Sequence, residues 1–432
     1  MATDQGAAPA TRAYSLLALL TAINVLNFVD RQLLPSFANF IVPDLKLTDT
    51  EFGLLTGLFF IIFYAVAGLF MGALADLVHR PRLIAGAVGL WSALTAASGA
   101  AVNFITLAIP RALIGVGESA LTPTAMSMLA DRFSAARLGL AAGLYYMGVP
   151  IGAGLSLLVA GYLGPAIGWR NCFYLLGGLG LFFALMALTI RETRPKREKV
   201  HKGPGFFVLA RTLSGALTAS PALVATMFGG VALHWAIGAA AFDQLWFVQE
   251  RGFERAEIAR INGYAIVFGG IAGNIVGGWL GDVWQRHFKS GRAMLLFWML
   301  LLTTPFNLAY RLVPPDSPFF WIGLYTGIFQ LAAFYGPTFS AVQELAPPQA
   351  RATVTAFYIL LLNTVGLGLG ITMTGVLIDQ FRAAGSEQPY SAAILAFTVI
   401  GALAAPAFFL AGRWFKRDLA RNQARAAAAV SG

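Results

Sequence analysis

The stretch Gly72-Ala73-Leu74-Ala75-Asp76-Leu77-Val78-His79-Arg80-Pro81-Arg82 ends one long apolar run and begins the next. A shortened copy, Gly278-Trp279-Leu280-Gly281-Asp282, stands at the matching boundary later in the chain, and Ala136-Arg137 is echoed by Ala350-Arg351. Each part of this loop has a physical use. Gly72 offers room for a neighbouring helix, Asp76 can accept charge-assisted hydrogen bonds or face a helix N-terminus, and Arg80 and Arg82 serve as cytoplasmic anchors. A loop that recurs in step with the apolar runs around it implies two related halves.

Those apolar runs fill the rest of the chain. Of its 432 residues, 58% are hydrophobic and 12% charged, about half the charge of an average soluble domain. A soluble core cannot hide so much apolar surface, whereas a bilayer covers it in runs of about 20 residues. Runs bounded by charges predict helices near 14–40, 52–78, 83–101, 103–130, 137–163 and 170–190. A second set falls near 221–248, 258–284, 293–312, 318–345, 351–380 and 390–414. The expected fold class is all-α: a polytopic membrane protein of twelve transmembrane helices in two six-helix halves, 1–190 and 221–432. Between them 191–220 carries Arg191, Arg194, Lys196, Arg197, Lys199 and Lys202 and reads as a cytoplasmic linker.

The distribution of charge sets the orientation. Arg12, Arg80, Arg82, Arg132, Arg137, the 191–211 cluster, Arg286, Lys289, Arg292, Arg351 and the basic tail from Arg413 fall on one set of alternate loops. They outnumber Lys46, Arg170, Arg251, Arg255, Arg260, Arg311 and Arg382 on the other set by about three to one, which predicts both termini in the cytoplasm of a cell (inner) membrane. A net charge of +10 would suit nucleic acid only if one folded face gathered it, and none does. The single cysteine, Cys172, excludes an internal disulfide and reads as a small buried side chain. Met1–Ala10 lacks the basic-then-apolar order of a cleavable signal, so the first helix is expected to be retained.

Charges inside predicted spans are the functional candidates, because each costs about 2.5–3.5 kcal/mol at the bilayer centre unless it faces a partner or a cavity. They are Asp30, Arg31, Arg111 and Glu118, with His234 and Asp243 on the seventh helix. At about 100° per residue, Arg111, Gly115, Glu118 and Thr122 share one stripe of the fourth helix, and Asn24, Asn27 and Arg31 share one on the first. Counting inward from the ends of these antiparallel helices puts Asp30 level with Arg111 and Asn24 level with Glu118, so an Asp30–Arg111 ion pair is expected. Arg31 is expected to face external water, headgroups or substrate. His234 reads as a packed histidine, and Asp243 lies near a helix end where solvation is cheap. On the fifth helix Gly143, Gly148, Pro150 and Gly152 predict close helix packing and a bend at the proline.

The Gly72–Arg82 loop resembles the signature between the second and third helices of the major facilitator superfamily, although His79-Arg80-Pro81 stands where that family usually has a glycine. Within the superfamily the chain resembles the spinster family. The resemblance is carried by Asn27-Phe28-Val29-Asp30-Arg31, Leu47-Thr48-Asp49-Thr50-Glu51-Phe52-Gly53-Leu54-Leu55, Gly89-Leu90-Trp91-Ser92 and Arg111-Ala112-Leu113-Ile114-Gly115-Val116-Gly117-Glu118-Ser119. It implies export of lysophospholipids or sphingolipids.

The expected function is therefore secondary active transport by alternating access, driven by protons, with a small amphipathic substrate and the chain acting as a monomer. Asp30, Arg111, Glu118, Asn24, Asn27 and Arg31 are the expected proton-coupling and substrate site. Gly72, Asp76, Arg80, Arg82, Asp282, Arg137 and Arg351 are the expected conformational switch. No Gly-x-x-x-x-Gly-Lys stretch exists for ATP, and no cofactor or metal is expected. An organic-anion symporter using Arg31 and Arg111 is the alternative transporter. A receptor or scaffold would not need buried unlike charges, and His79, His201, His234 and His287 form no catalytic constellation for an enzyme.

Overall fold

The computed structural model describes residues 10–192 and 206–431. In chain order the α-helices are α1 Ala10–Ser36, α2 Ala38–Leu45, α3 Asp49–Thr56, α4 Leu58–Leu77, α5 Arg80–Gly99, α6 Phe104–Glu118, α7 Leu121–Ala130, α8 Ala135–Tyr146, α9 Gly148–Leu188 and α10 Phe206–Ala219. They continue as α11 Pro221–Ala239, α12 Asp243–Gln249, α13 Arg255–Phe288, α14 Arg292–Leu312, α15 Pro318–Leu345 and α16 Arg351–Leu361. A π-helical segment, Leu362–Gly368, leads into α17 Leu369–Ala383, α18 Pro389–Ala402 and α19 Ala404–Ser431. No strand occurs among the described residues.

Among the described residues, ten stretches are long and apolar enough to cross a membrane. One of them, Arg137–Leu188, has 52 residues, twice what a span needs, and it breaks at Gly168, whose φ of 79° an L side chain rarely adopts. Helix α5 has the length of a span at 20 residues with a more polar sequence. Counting α5 and both parts of the broken stretch gives twelve spans among the described residues. Large apolar side chains such as Phe70 (68% exposed) and Phe268 (69%) face outward, as a lipid-covered surface requires.

Local sequence explains the breaks. Thr48 caps α3, accepting the Glu51 N–H at 3.1 Å, while the Glu51 carboxylate accepts the Thr48 N–H at 2.9 Å; this capping box accounts for the polar Thr-Asp-Thr-Glu stretch. Met147 separates α8 from α9 just before Pro150, whose ring cannot donate to Tyr146 and crowds its carbonyl. The fourth span, expected over 103–130, runs over Phe104–Ala130 as α6 and α7, which join at Ser119 and Ala120 with helical dihedrals kept and the hydrogen-bond pattern loosened. Part of the expected linker is also helical. Phe206–Ala219 forms α10, which buries Ala216 with Leu213 and Leu217 and leaves Phe207 outward; residues 193–205 lie outside the described residues.

Contacts divide the chain into two compact units, Met1–His201 with Phe253–Val267, and Lys202–Gly252 with Phe268–Gly432. In the first, α9 packs on α1 and α5, and α6 packs on α4 and α5. In the second, α14 packs on α15, and α11 on α18 and α19.

Candidate functional site

Six of the sequence-selected residues meet where α1 crosses α6, all in the first unit. The expected side-chain pair between Asp30 and Arg111 is not formed. The Arg111 guanidinium instead donates to backbone carbonyls: Nη2 to Arg31 at 2.8 Å, Nη1 to Asp30 at 3.4 Å and Nε to Leu55 at 3.4 Å. Pro35 explains why the Arg31 carbonyl is available. It sits inside α1 without an N–H, so the carbonyl four residues earlier has no helical donor. Depth was read correctly, since Arg111 does lie level with residues 30 and 31, but the acceptor is main chain.

Glu118 pairs with Arg31 and not with Asn24. Nη2 and Nε of Arg31 both donate to Glu118 Oε2, at 2.9 and 3.0 Å. Arg31 lies one turn, about 6 Å, beyond Asn27, and a helical side chain leans back toward the N-terminus, so the long stem returns the guanidinium to Glu118. The expectation that Arg31 faces water or headgroups gives way to a position among the rings of Phe28 (4.9 Å), Phe60 (5.0 Å) and Tyr64 (4.6 Å). Phe60 also lies 4.7 Å from the Arg111 guanidinium. Gly115 makes this possible, because a Cβ there would lie 2.7 Å from the Phe60 carbonyl oxygen. Asn24 donates to the Tyr145 carbonyl at 2.9 Å, and Thr122 meets the Tyr145 hydroxyl at 3.3 Å.

Several polar atoms at this crossing are buried without a well-formed hydrogen bond. Asn24 Oδ1 has none, while the Asp30 carboxylate has only the Trp91 indole near it and Glu118 Oε1 only the Asn27 amide, neither in good hydrogen-bond geometry. Asp30 itself is 2% exposed and shares its surroundings with Trp91 of α5 and the Arg111 guanidinium. Native interiors leave few such atoms, and a cluster of them marks a place built for something other than packing. Tyr64 and Pro35 were not singled out in the sequence, and Trp91 only within a stretch that carries the family resemblance; a proline inside a span was the readable signal.

The repeated loops end in arginine clamps. Arg80, expected as a cytoplasmic anchor, is fully buried, and its Nη2 lies 2.6 Å from both Asp131 and Glu192 while Nη1 reaches Ser127 at 3.0 Å. The second unit repeats the device at the start of α14, where Arg292 bridges Asp282 (2.8 Å) and Glu344. Arg82, Arg137 and Arg351 are exposed. The side chain of Asp76 lies outside the described residues.

The glycines divide into two sets. Gly148 and Gly152 seat α9 on α1: an added Cβ would lie 2.8 Å from Asn24 Nδ2 at the first and 2.6 Å from Phe28 Cβ at the second. Gly72 and Gly143 have open space around them, so the close approach expected at those two positions is absent. In the second unit, Asp243 and Arg311 were read as sitting near a solvated helix end and in an external loop. They form a two-pronged pair at 2.7 and 3.3 Å, with Arg311 only 6% exposed beside Trp246 and Tyr310.

A helical membrane protein of twelve spans, built as two units around buried ion pairs and helix-crossing glycines, has the architecture of a secondary transporter. The chain belongs to the Major Facilitator Superfamily, which matches residues 20–371. It is 26% identical to an MFS-type efflux pump of Mycolicibacterium smegmatis over 94% of each chain, and 27% identical to the hexuronate transporter of Bacillus subtilis over 84% of this chain and 88% of that one. Among solved structures it resembles a bacterial homologue of the human lysosomal transporter spinster in an inward-facing, unoccupied conformation. That likeness has a TM-score of 0.82 and 26% identity, covering 95% of this chain and 99% of the other. The protein is a spinster-like membrane transporter and not an enzyme.

Proposed function

We propose that this protein is a proton-coupled secondary transporter that moves an amphipathic, lysolipid- or sphingolipid-like molecule by alternating access, with 1–190 and 221–432 as its two halves and 191–220 as their linker. The observation that carries the proton coupling is the buried Asp30 carboxylate, with no ion pair and only the Trp91 indole close by, beside an Arg111 whose guanidinium rests on main-chain carbonyls. Such a pair has two arrangements. With a proton on Asp30, Arg111 remains on the carbonyls. When the proton leaves, the carboxylate attracts the guanidinium away from them. Each arrangement favours a different position of α1 against α6, so the proton biases a conformational equilibrium. Glu118, already held by Arg31, is the second titratable group, and Asn24 and Asn27 supply neutral polar contacts.

The lipid-like substrate is supported by the likeness to the spinster homologue and by the rings of Phe28, Phe60 and Tyr64 around Arg31. Export accords with the efflux-pump relative. A second reading, symport of a small organic anion on Arg31 and Arg111, draws on the hexuronate transporter relative. Uptake of a labelled lysophospholipid and a labelled hexuronate into proteoliposomes separates them. Gradient-driven lysolipid flux supports the first reading, and flux of hexuronate alone refutes it. The loop-charge asymmetry supports an orientation with both termini cytoplasmic in the cell membrane. A cysteine at Ser386 should then react with an impermeant reagent added outside, and reaction only from the inside would reverse the topology. Asp282, paired with Arg292 inside its own unit, and Asp76 are proposed to act in the conformational switch.

A further inference from the structure

We propose that His234 and Tyr335 form a second polar subsite, inside the second unit, that recognises a hydroxyl or amino hydrogen-bond donor on the head group of an amphipathic ligand. The inference adds a substrate chemistry to the transporter reading and rests on that reading only for its purpose.

His234 lies on α11, 4% exposed, with its ring 5.5 Å from that of Phe334 and 5.8 Å from that of Tyr335. Its Nδ1 is 2.8 Å from the carbonyl oxygen of Gly230. A carbonyl can only accept, so Nδ1 carries the hydrogen and Nε2 presents a lone pair. The group facing Nε2 is the Tyr335 hydroxyl at 3.3 Å, a long contact for an O–H donor. Having donated to Nε2, the Tyr335 oxygen keeps its own lone pairs for another donor, and this side chain is half-buried. Tyr358 adds an independent observation. It is fully buried, its hydroxyl has no partner, and it lies against Gly230, with Phe339 contacting both Tyr335 and Tyr358.

The chain opposite is irregular at the same level. Leu362–Gly368 is π-helical, a form that occurs in short pieces and often at functional sites. Gly366 within it meets His234 directly, since an added Cβ would lie 2.5 Å from His234 Cβ. Asn363 and Thr364 turn their side chains to the carbonyls of Ile359 and Leu360, at 2.9 and 2.6 Å. The patch thus offers a loosely engaged imidazole lone pair, a phenol oxygen with free lone pairs and an orphaned phenol. All three are completed by a ligand that brings O–H or N–H groups. A histidine present only for packing would have Nε2 closed by a well-formed bond and would need no orphan beside it.

The test is equilibrium binding to the purified full-length protein in lipid nanodiscs, with two probes of equal chain length. 1-Monolauroylglycerol carries two hydroxyl donors, and its 2,3-di-O-methyl ether carries none. The wild-type protein should bind the diol about tenfold more tightly, as losing one or two hydrogen bonds in a buried site implies. Tyr335→Phe keeps the ring and should bring the ratio close to one, as should His234→Gln. Histidine ¹⁵N NMR supplies a readout that does not depend on either variant: the Nε2 signal of His234 should move on adding the diol and stay on adding the ether. A wild-type ratio near one, or a ratio unchanged in folded Tyr335→Phe, would overturn the subsite. Flux in proteoliposomes without this selectivity would sink the subsite and leave transport standing, and selectivity without flux would do the reverse.

Discussion

Arg111 donates to the carbonyl oxygen of Arg31 at 2.8 Å, a carbonyl that Pro35, four residues on, leaves without a helical donor. One residue type thus creates the acceptor and another uses it. Arg111 can rest there without a side-chain ion pair to Asp30, and the proposed proton switch depends on this arrangement.

Replacing Pro35 by Ala restores the missing N–H, which closes the Arg31 carbonyl within α1. The helix should gain stability, since an interior proline costs about 3 kcal/mol, while Arg111 loses its shortest contact. The expected outcome is a thermal midpoint equal to or above wild type together with gradient-driven flux lowered several-fold. A lower midpoint with normal flux would show the proline to be structural.

Packing at the α1–α9 crossing separates two glycines that look alike in the sequence. Gly152→Ala sets a Cβ against Val25 and Phe28 and should cost about 1–3 kcal/mol through forced displacement. Gly143→Ala meets open space and should be neutral or stabilise the helix by roughly 0.5–1 kcal/mol. Thermal unfolding of the two variants should rank them in that order, and equal midpoints would refute the packing assignment.

That contrast illustrates what the sequence could and could not disclose. Apolar run length located the spans, because a bilayer imposes one length on every helix. Counting along α1 and α6 found the level of Asp30 and Arg111. Rotation and reach escaped it. Asp30 turns to Trp91, and the Arg31 stem covers a full turn to reach Glu118, so partners could not be assigned from depth alone. Arg80 read only as a cytoplasmic anchor, without its carboxylate partners, because Asp131 and Glu192 are remote in sequence. Arg311 read as a loop charge for the same reason, its partner Asp243 lying far upstream. The space around Gly72 and Gly143 depends on neighbouring helices, which a single helix's sequence does not encode.

Outside the spans, Asp44 gives a pH signature of its own. The Arg170 guanidinium, and secondarily the Trp169 indole at 3.0 Å, hold its carboxyl below the usual carboxylate range. A depressed folded-state value means that the carboxylate adds stability above its unfolded pKa of about 3.9 and loses it as pH falls through the lower folded value. Because Asp44 is partly solvated, the gain should stay under about 1 kcal/mol. Asp44→Asn should therefore unfold slightly earlier than wild type at pH 7, and the difference should shrink as pH falls below the unfolded value and vanish once it is below the lower folded value. A difference that persists unchanged at low pH would contradict this account.

The most direct test of the proposed coupling is lysophospholipid transport by Asp30→Asn in proteoliposomes, with and without an imposed pH gradient. Asparagine keeps the shape of the side chain but cannot exchange a proton. The account predicts that substrate still binds and that the wild-type acceleration by the gradient disappears. Gradient-driven flux by Asp30→Asn at the wild-type rate would contradict the assignment and shift the coupling role to Glu118.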